Sequence, residues 1–481
     1  MSNENSISSN SSPFVENVPV KAKVWYSLAN MGNGMLSGLG LNNIMFFYSD
    51  ILKMDSSLQG IVWLIFAAWN AINDPILGIL EEKTKSKLGR RVPYLRYGAG
   101  IYALLFLIIW FPFAPIGNQT LLFLNLLLML FLFDTAYSMI GLITYSLPAE
   151  MAITSKERSS IMIYSTVFGV GSQVVSLLLP ALYLSSDNFD LGVWQLVCTF
   201  IAIGSGLLIW ASSYFITENR WAQKEPTLGF WESIKETIKN REFLVFEVMN
   251  YALLICQTIL ISGITYLMKY VLVGGLTIAS FPYLIPIVVM LVVSIILMIK
   301  SIGKRGLKKT FIIGMAIGGI GFAILPLFGR TIADLSIPLM FICVALATMI
   351  MCGQPLIADV IDYDEVLTGK RRETTYSGVN ALITKPAISI ANWGFLAILV
   401  KFGYDETVSV QPASVGDGVV TAYSVIPVIT IIIAIIAIMF FKLDGPEWIK
   451  KKHELQMIHE QKEKAFVESL MKEGKLTTAP N

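Results

Sequence analysis

The sequence predicts an all-α polytopic membrane protein with about twelve transmembrane helices in two six-helix halves. Its 481 residues are 55% hydrophobic and 15% charged, with mean hydropathy +0.65, which is more apolar surface than a soluble core can hide. Apolar runs of the length that crosses a bilayer as helix, about 20 residues, recur near 24–50, 60–82, 95–115, 119–147, 159–184, 190–216, 241–273, 280–300, 309–329, 334–360, 372–403 and 418–442. The net charge is only +2, yet Lys and Arg gather in alternate connections: Lys83 to Arg96, Lys156 and Arg158, Arg220 to Arg241, Lys300 to Lys309, Lys370 to Arg372, and the segment after Lys450. The positive-inside rule then places both termini and these connections in the cytoplasm, and the chain in the cell membrane.

Residues 1–20 open with a Ser- and Asn-rich stretch lacking the charged, apolar and cleavage regions of a signal peptide, so a disordered cytoplasmic tail is expected. Span one carries Asn30, Asn33 and Ser37 at helical spacing among Gly32, Gly34, Gly38 and Gly40. Small residues at this density mean close helix packing, with Asn33 a candidate substrate ligand. Span two ends in Trp69-Asn70-Ala71-Ile72-Asn73-Asp74-Pro75. A carboxylate in hydrocarbon costs about 2.5–3.5 kcal/mol on insertion scales, so Asp74 is either a working group or a partner that pins a neighbouring helix. Asn70 lies one turn before it, Asn73 beside it, and Pro75 frees the carbonyl of Ala71. These hard oxygen donors suit an alkali cation or a proton. In span four, Asp134, Ser138 and Gly141 share a face. Asp134 either joins Asp74 in one cation site or makes a structural hydrogen bond. Tyr145 follows as a further candidate substrate ligand.

The six-span halves, 21–216 and 241–443, flank a linker at 217–240 with an amphipathic stretch, Phe230 to Lys239; a cytoplasmic helix and tail occupy 444–481. The hairpin after span two, Gly89-Arg90-Arg91, has a weaker counterpart in Gly303-Lys304-Arg305-Gly306. Two halves related about the membrane normal are the repeat logic of a major facilitator fold, with the substrate at the midplane between them. In span seven, Glu247, Asn250, Tyr251 and Gln257 are candidate cavity residues. In span eleven, Lys385 lies mid-span with Ser389 and Asn392 on its face; it either binds an anionic or polyol solute or balances a carboxylate across the cavity. The helix from Glu447 to Lys472 has the charge pattern of a solvated surface helix.

Four cysteines stand singly in apolar spans and both histidines lie in the C-terminal tail, a pattern that suggests neither a disulfide framework nor a metal site. With no phosphate loop, nucleophile elbow or HExxH, the chain is not expected to be an enzyme, to carry a cofactor or metal, or to bind nucleic acid. A monomer in the lipid bilayer is expected.

Several motifs resemble one family. Asn73-Asp74-Pro75 with Gly78, then Gly89-Arg90-Arg91 and Pro93, is similar to the helix-two signature of the glycoside-pentoside-hexuronide:cation symporters, which include melibiose permease. Ala358-Asp359-Val360-Ile361-Asp362-Tyr363, then Gly369, Arg371, Arg372 and Glu373, with Lys385 twelve residues later, resembles that family's helix-ten to helix-eleven junction; Asn240-Arg241 with Phe243 is a third, weaker match. The resemblance implies a major facilitator fold and alternating access, with Asp74 in the place of a cation-site carboxylate and Lys385 in the place of the essential helix-eleven lysine. The family's first helix-two aspartate falls on Asn70, its helix-four aspartate near Gly141 and its helix-one aspartate near Gly34. These departures argue against a galactoside site of the melibiose type, and the loss of a cation-site carboxylate weakens sodium coupling and favours a proton unless Asp134 replaces it.

The function expected is therefore cation-coupled symport of a small polar solute, a sugar, glycoside or hexuronide. Asn70, Asn73, Asp74, Asp134 and Ser138 are the candidate cation or coupling residues, and Asn33, Tyr145, Lys385, Ser389 and Asn392 the candidate substrate ligands. Glu82, Arg90, Arg91, Asp359, Asp362, Arg371 and Arg372 form a candidate cytoplasmic gate that holds the outward-open state and breaks on inward opening. An amphiphile or lysolipid symporter of the same fold, and a non-transporting receptor or scaffold, are the alternatives.

Overall fold

The computed structural model describes residues 16–84, 86–186, 188–216, 230–273, 280–408 and 410–473. Its first half comprises α1 (Val20–Phe46), α2 (Ser56–Lys83), α3 (Val92–Trp110), α4 (Gln119–Met151), α5 (Ser155–Leu179) and α6 (Leu191–Ser212). A short α7 (Phe230–Ile238) precedes the second half, α8 (Arg241–Tyr266), α9 (Phe281–Arg305), α10 (Leu307–Ile324), α11 (Ile332–Thr368), α12 (Glu373–Thr384), α13 (Pro386–Lys401) and α14 (Ala413–Met439), and α15 (Pro446–Lys472) closes the chain.

Polar side chains at helix starts define the boundaries. Asp55 accepts from the Leu58 N–H at the start of α2, Asn118 from Leu121 at α4, Asp190 from Val193 at α6, and Thr331 from Asp334 at α11. Each satisfies an amide that the helix itself cannot. Gly306 (φ +82°) separates α9 from α10, and Gly369 (φ +71°) ends α11, both in the left-handed region that glycine enters without a Cβ penalty.

Eleven of the described helices, counting α12 and α13 as one span, are long and apolar enough to cross a membrane. The twelfth expected span, α1, falls outside that set because of the asparagines and glycines along it. Its burial compensates, since α1 packs between α5 and α6. A Cβ on Gly32 would come within 2.9 Å of the Ser205 backbone oxygen, and one on Gly34 within 2.5 Å of Ser172 Oγ. Close packing is thus the observed role of the span-one glycines.

Successive spans alternate in direction, so α1, α3 and α5 start on the face where α7 and α15 lie, here the terminal side, and α1 and α8 end on the far side. The halves meet chiefly along α2 against α12 and α13, and along α1 against α8. On the far side α1, α5 and α8 each finish in one π-helical turn, Phe47–Ile51, Pro180–Leu184 and Leu267–Val271. The exposed apolar stripe of α9, from Ile285 to Ile299, is a lipid-facing surface.

Two elements depart from the sequence reading. Lys385 does not sit inside a continuous helix; it is the joint between α12 and α13, because Pro386 has no N–H to continue the ladder. The last helix is also not merely solvated. Trp448, Leu455, Val467 and Leu470 of α15 are buried, an apolar seam that its many charges obscured.

Candidate functional site

Four helices converge on the midplane. Lys385, at the α12–α13 joint of the second half, donates from Nζ to Asp74 Oδ1 on α2 and to Ser138 Oγ on α4 at 2.7 Å. The Asn70 amide donates to the Lys385 carbonyl at 3.2 Å, anchoring the joint to α2. Behind this pair, Asn73 Nδ2 donates to Asp134 Oδ2 at 2.8 Å, tying α2 to α4. The Lys385 ammonium lies 5.9 Å from the ring centroid of Tyr137, within cation–π range. Desolvation makes a lone ammonium here costly, and Asp74 supplies the opposite charge.

Next to the pair lies a cavity of about 290 Å³ whose wall includes Asp74, Lys385, Ser138, Asn33, Tyr137 and Tyr145. It continues along the first half to Tyr26, Asn30 and Ser165, residues nearer the terminal ends of α1 and α5. Asn30 donates to Ser165 Oγ at 2.8 Å, and Tyr26 donates to the Thr144 carbonyl at 2.6 Å. Gly141 also faces this space, and a Cβ added there would come within 3.9 Å of Asn33 Nδ2. Tyr26, Tyr137 and Ser165 had not been singled out. They are aromatic or small polar residues in apolar spans, and only their convergence distinguishes them.

Of the candidate substrate ligands, Lys385, Asn33 and Tyr145 reach this wall. Ser389 and Asn392 do not. They lie in the packing of α13, fully buried, and their side-chain polar atoms have no hydrogen-bond partner. Asn70, Asn73 and Asp134 stand one layer behind the wall.

Among the described residues of the expected gate, the ion pairs found lie within one half. Arg90 and Arg91 approach Glu150, Arg91 at 3.2 Å. Arg371 approaches Asp362 at 3.1 Å and Glu365 and Glu373 at 3.3 Å, while Arg372 forms a two-point pair with Asp364, its Nε–Oδ2 bond 2.8 Å long. Asp359 pairs with Lys452 of α15. The Glu82 side chain lies outside the described residues.

On the far side the halves are joined directly. Asp50, on the π turn of α1, receives Lys269 Nζ at 2.6 Å, the Tyr270 hydroxyl, and the Tyr404 hydroxyl at 3.3 Å. Ser49 and Tyr266 share a 2.7 Å hydrogen bond, Thr265 donates to Asn43 at 3.2 Å, and Ser56 donates to Glu406 at 3.4 Å. No local sequence pattern marks this cluster. The available signal was the internal repeat, since Asp50 and Lys269 close the first span of their respective halves.

Two bundles of membrane-length helices joined at a buried ion pair beside a polar cavity have the architecture of a major facilitator transporter, the class to which the chain's relatives belong. The chain belongs to the family of the MFS/sugar transport proteins, whose sequence model matches residues 25–445. It is 23% identical over 466 residues to an uncharacterized symporter, YnaJ, of Bacillus subtilis (92% of this chain, 96% of that one) and 23% identical over 439 residues to the isoprimeverose transporter of Lactiplantibacillus pentosus (89% and 90%). The fold is also that of a solved D-xylose-proton symporter, with a TM-score of 0.62 at 15% identity, covering 90% of this chain and 99% of that one.

Proposed function

We propose that the protein is a cation-coupled symporter that carries a small neutral sugar or glycoside, with the Asp74–Lys385 pair as the coupling element. One observation carries this reading: a lysine of the second half donates to a carboxylate and a hydroxyl of the first half, at the edge of a polar cavity. A proton or sodium ion on Asp74 competes with the ammonium for the same oxygens, so its arrival loosens a bond between the halves. That is the differential interaction a coupled conformational change requires.

The cavity also bears on the solute. Lys385 is already matched by Asp74, and Asp134 stands behind it, so an anionic solute meets no unmatched cation there. Hydroxyls and amides of Asn30, Asn33, Tyr137, Tyr145 and Ser165 suit the donors and acceptors of a sugar. A volume of about 290 Å³ lies just below the roughly 300–1,000 Å³ range of small-molecule sites, in favour of a mono- or disaccharide-sized solute over a lipid. The clustering of Lys and Arg supports a cytoplasmic terminal side, and the joined far side then supports an inward-facing state.

Uptake into proteoliposomes tests this, using neutral sugars, glycosides, hexuronates and lysolipids under imposed proton or sodium gradients. A neutral sugar is expected to accumulate with one of the gradients, and Asp74→Asn to abolish gradient-driven accumulation. Coupled uptake that survives Asp74→Asn overturns the coupling role, and preferential uptake of hexuronate or lysolipid overturns the solute class.

A further inference from the structure

We infer that α15 is a strut across the terminal side that favours the conformation described here, and that its release is needed for the halves to close on that side. This rests on the alternating-access reading above and adds to it a regulatory element.

One end of α15 is fixed to the second half. Gly445 (φ +99°) turns the chain sharply after α14, and Trp448 packs edge-on against Tyr363 of α11, with centroids 5.9 Å apart. Lys452 pairs with Asp359, His459 Nε2 lies 2.9 Å from Glu365 Oε2, and Lys462 Nζ lies 3.6 Å from Glu365 Oε1. The other end rests on the first half. Val467 and Leu470, both buried, form an apolar cluster with Ile153 in the connection between α4 and α5, flanked by Phe466 and Met471. Ile153 is itself held, because its N–H donates to Glu16 at 2.9 Å.

The geometry makes this contact conformation-dependent. From Lys452 to Val467 a helix is rigid over about 22 Å at 1.5 Å per residue. When the halves rock and the terminal side closes, the separation of Ile153 from Asp359 changes. A rigid helix docked at both points cannot follow, so one dock must break. Charge strengthens the second-half dock, because α15 engages Asp359 and Glu365 of α11 with its own Lys452 and Lys462.

The test is conformational and requires no known solute. Spin labels on Leu88→Cys and Leu367→Cys, both exposed on the terminal side, report the separation of the halves by pulsed electron-spin resonance in liposomes. The four native cysteines are buried. In the double variant Val467→Asp/Leu470→Asp, which detaches only the first-half dock, a new population at shorter distance is expected; the combined variant Trp448→Ala/Lys452→Glu/His459→Ala/Lys462→Glu, which removes the contacts to Tyr363, Asp359 and Glu365 together, should produce the same population from the other dock. A distance distribution unchanged in both variants overturns the strut. If the coupling reading were wrong while the strut held, Asp74→Asn would retain coupled uptake although these distances still shifted.

Discussion

With Asp74 or Lys385 removed singly, the partner loses its hydrogen-bonded counter-charge in the membrane interior, at a cost of up to about 3–5 kcal/mol for a buried pair. Asp74→Asn and Lys385→Met are each expected to lower the thermal midpoint of the purified protein, and the double variant to recover most of the loss. Additive losses would show that the two charges do not depend on each other. Asn73→Leu removes the donor to Asp134 and leaves a buried acceptor unpaired, about 1–3 kcal/mol. It should lower the midpoint less than either charge variant, and Asn73→Ser should recover part of it. The candidate residues on α2 and α4 were legible because polar groups in apolar spans are few. That Lys385 balances a carboxylate across the cavity was one of two readings the sequence allowed; that the carboxylate is Asp74, 311 positions away, was not legible, since helical spacing relates residues only within one element.

At the scale of elements, α1 depends on glycine where it touches its neighbours. A Cβ at Gly32 would meet backbone at 2.9 Å, and backbone cannot move aside as a flexible side chain does. Gly32→Val is therefore expected to destabilise by about 1–3 kcal/mol through overpacking, seen as a lower yield of monodisperse protein, whereas Gly204→Ala, with open space around it, should be neutral. The density of small residues announced this packing. The dock of α15 was hidden for the opposite reason: four apolar residues among many charges give a weak periodic signal, and their partners lie on α11 and in the α4–α5 connection.

Over the whole molecule, the far-side cluster around Asp50 sets how readily the halves part there. Asp50→Asn or Lys269→Met should raise the labelling rate of far-side cysteine probes severalfold, and the difference from the parent should shrink somewhat at high salt, where screening already weakens the partly exposed pair. Burial holds the Glu406 carboxyl above the ordinary carboxylate range. A group raised in this way contributes stability while protonated, in full below its ordinary pKa near 4.3, and loses it as pH rises through the raised value. Far-side labelling should therefore increase as pH rises through that window, and Glu406→Gln, neutral throughout, should flatten the profile.

Hydropathy, loop charge and the internal repeat were enough by themselves to determine a membrane-spanning chain of two helical halves, because lipid constrains every residue of a span locally and identically. They also marked the polar residues of α2 and α4. Only the tertiary structure decided which of these meet: that Lys385 joins the halves through Asp74 and Ser138, that Ser389 and Asn392 turn into packing and away from the cavity, that Asp50 ties the far side, and that α15 bridges the other. These are contacts between distant segments, set by how whole helices pack, and no local pattern along the chain encodes the rotation of one helix against another.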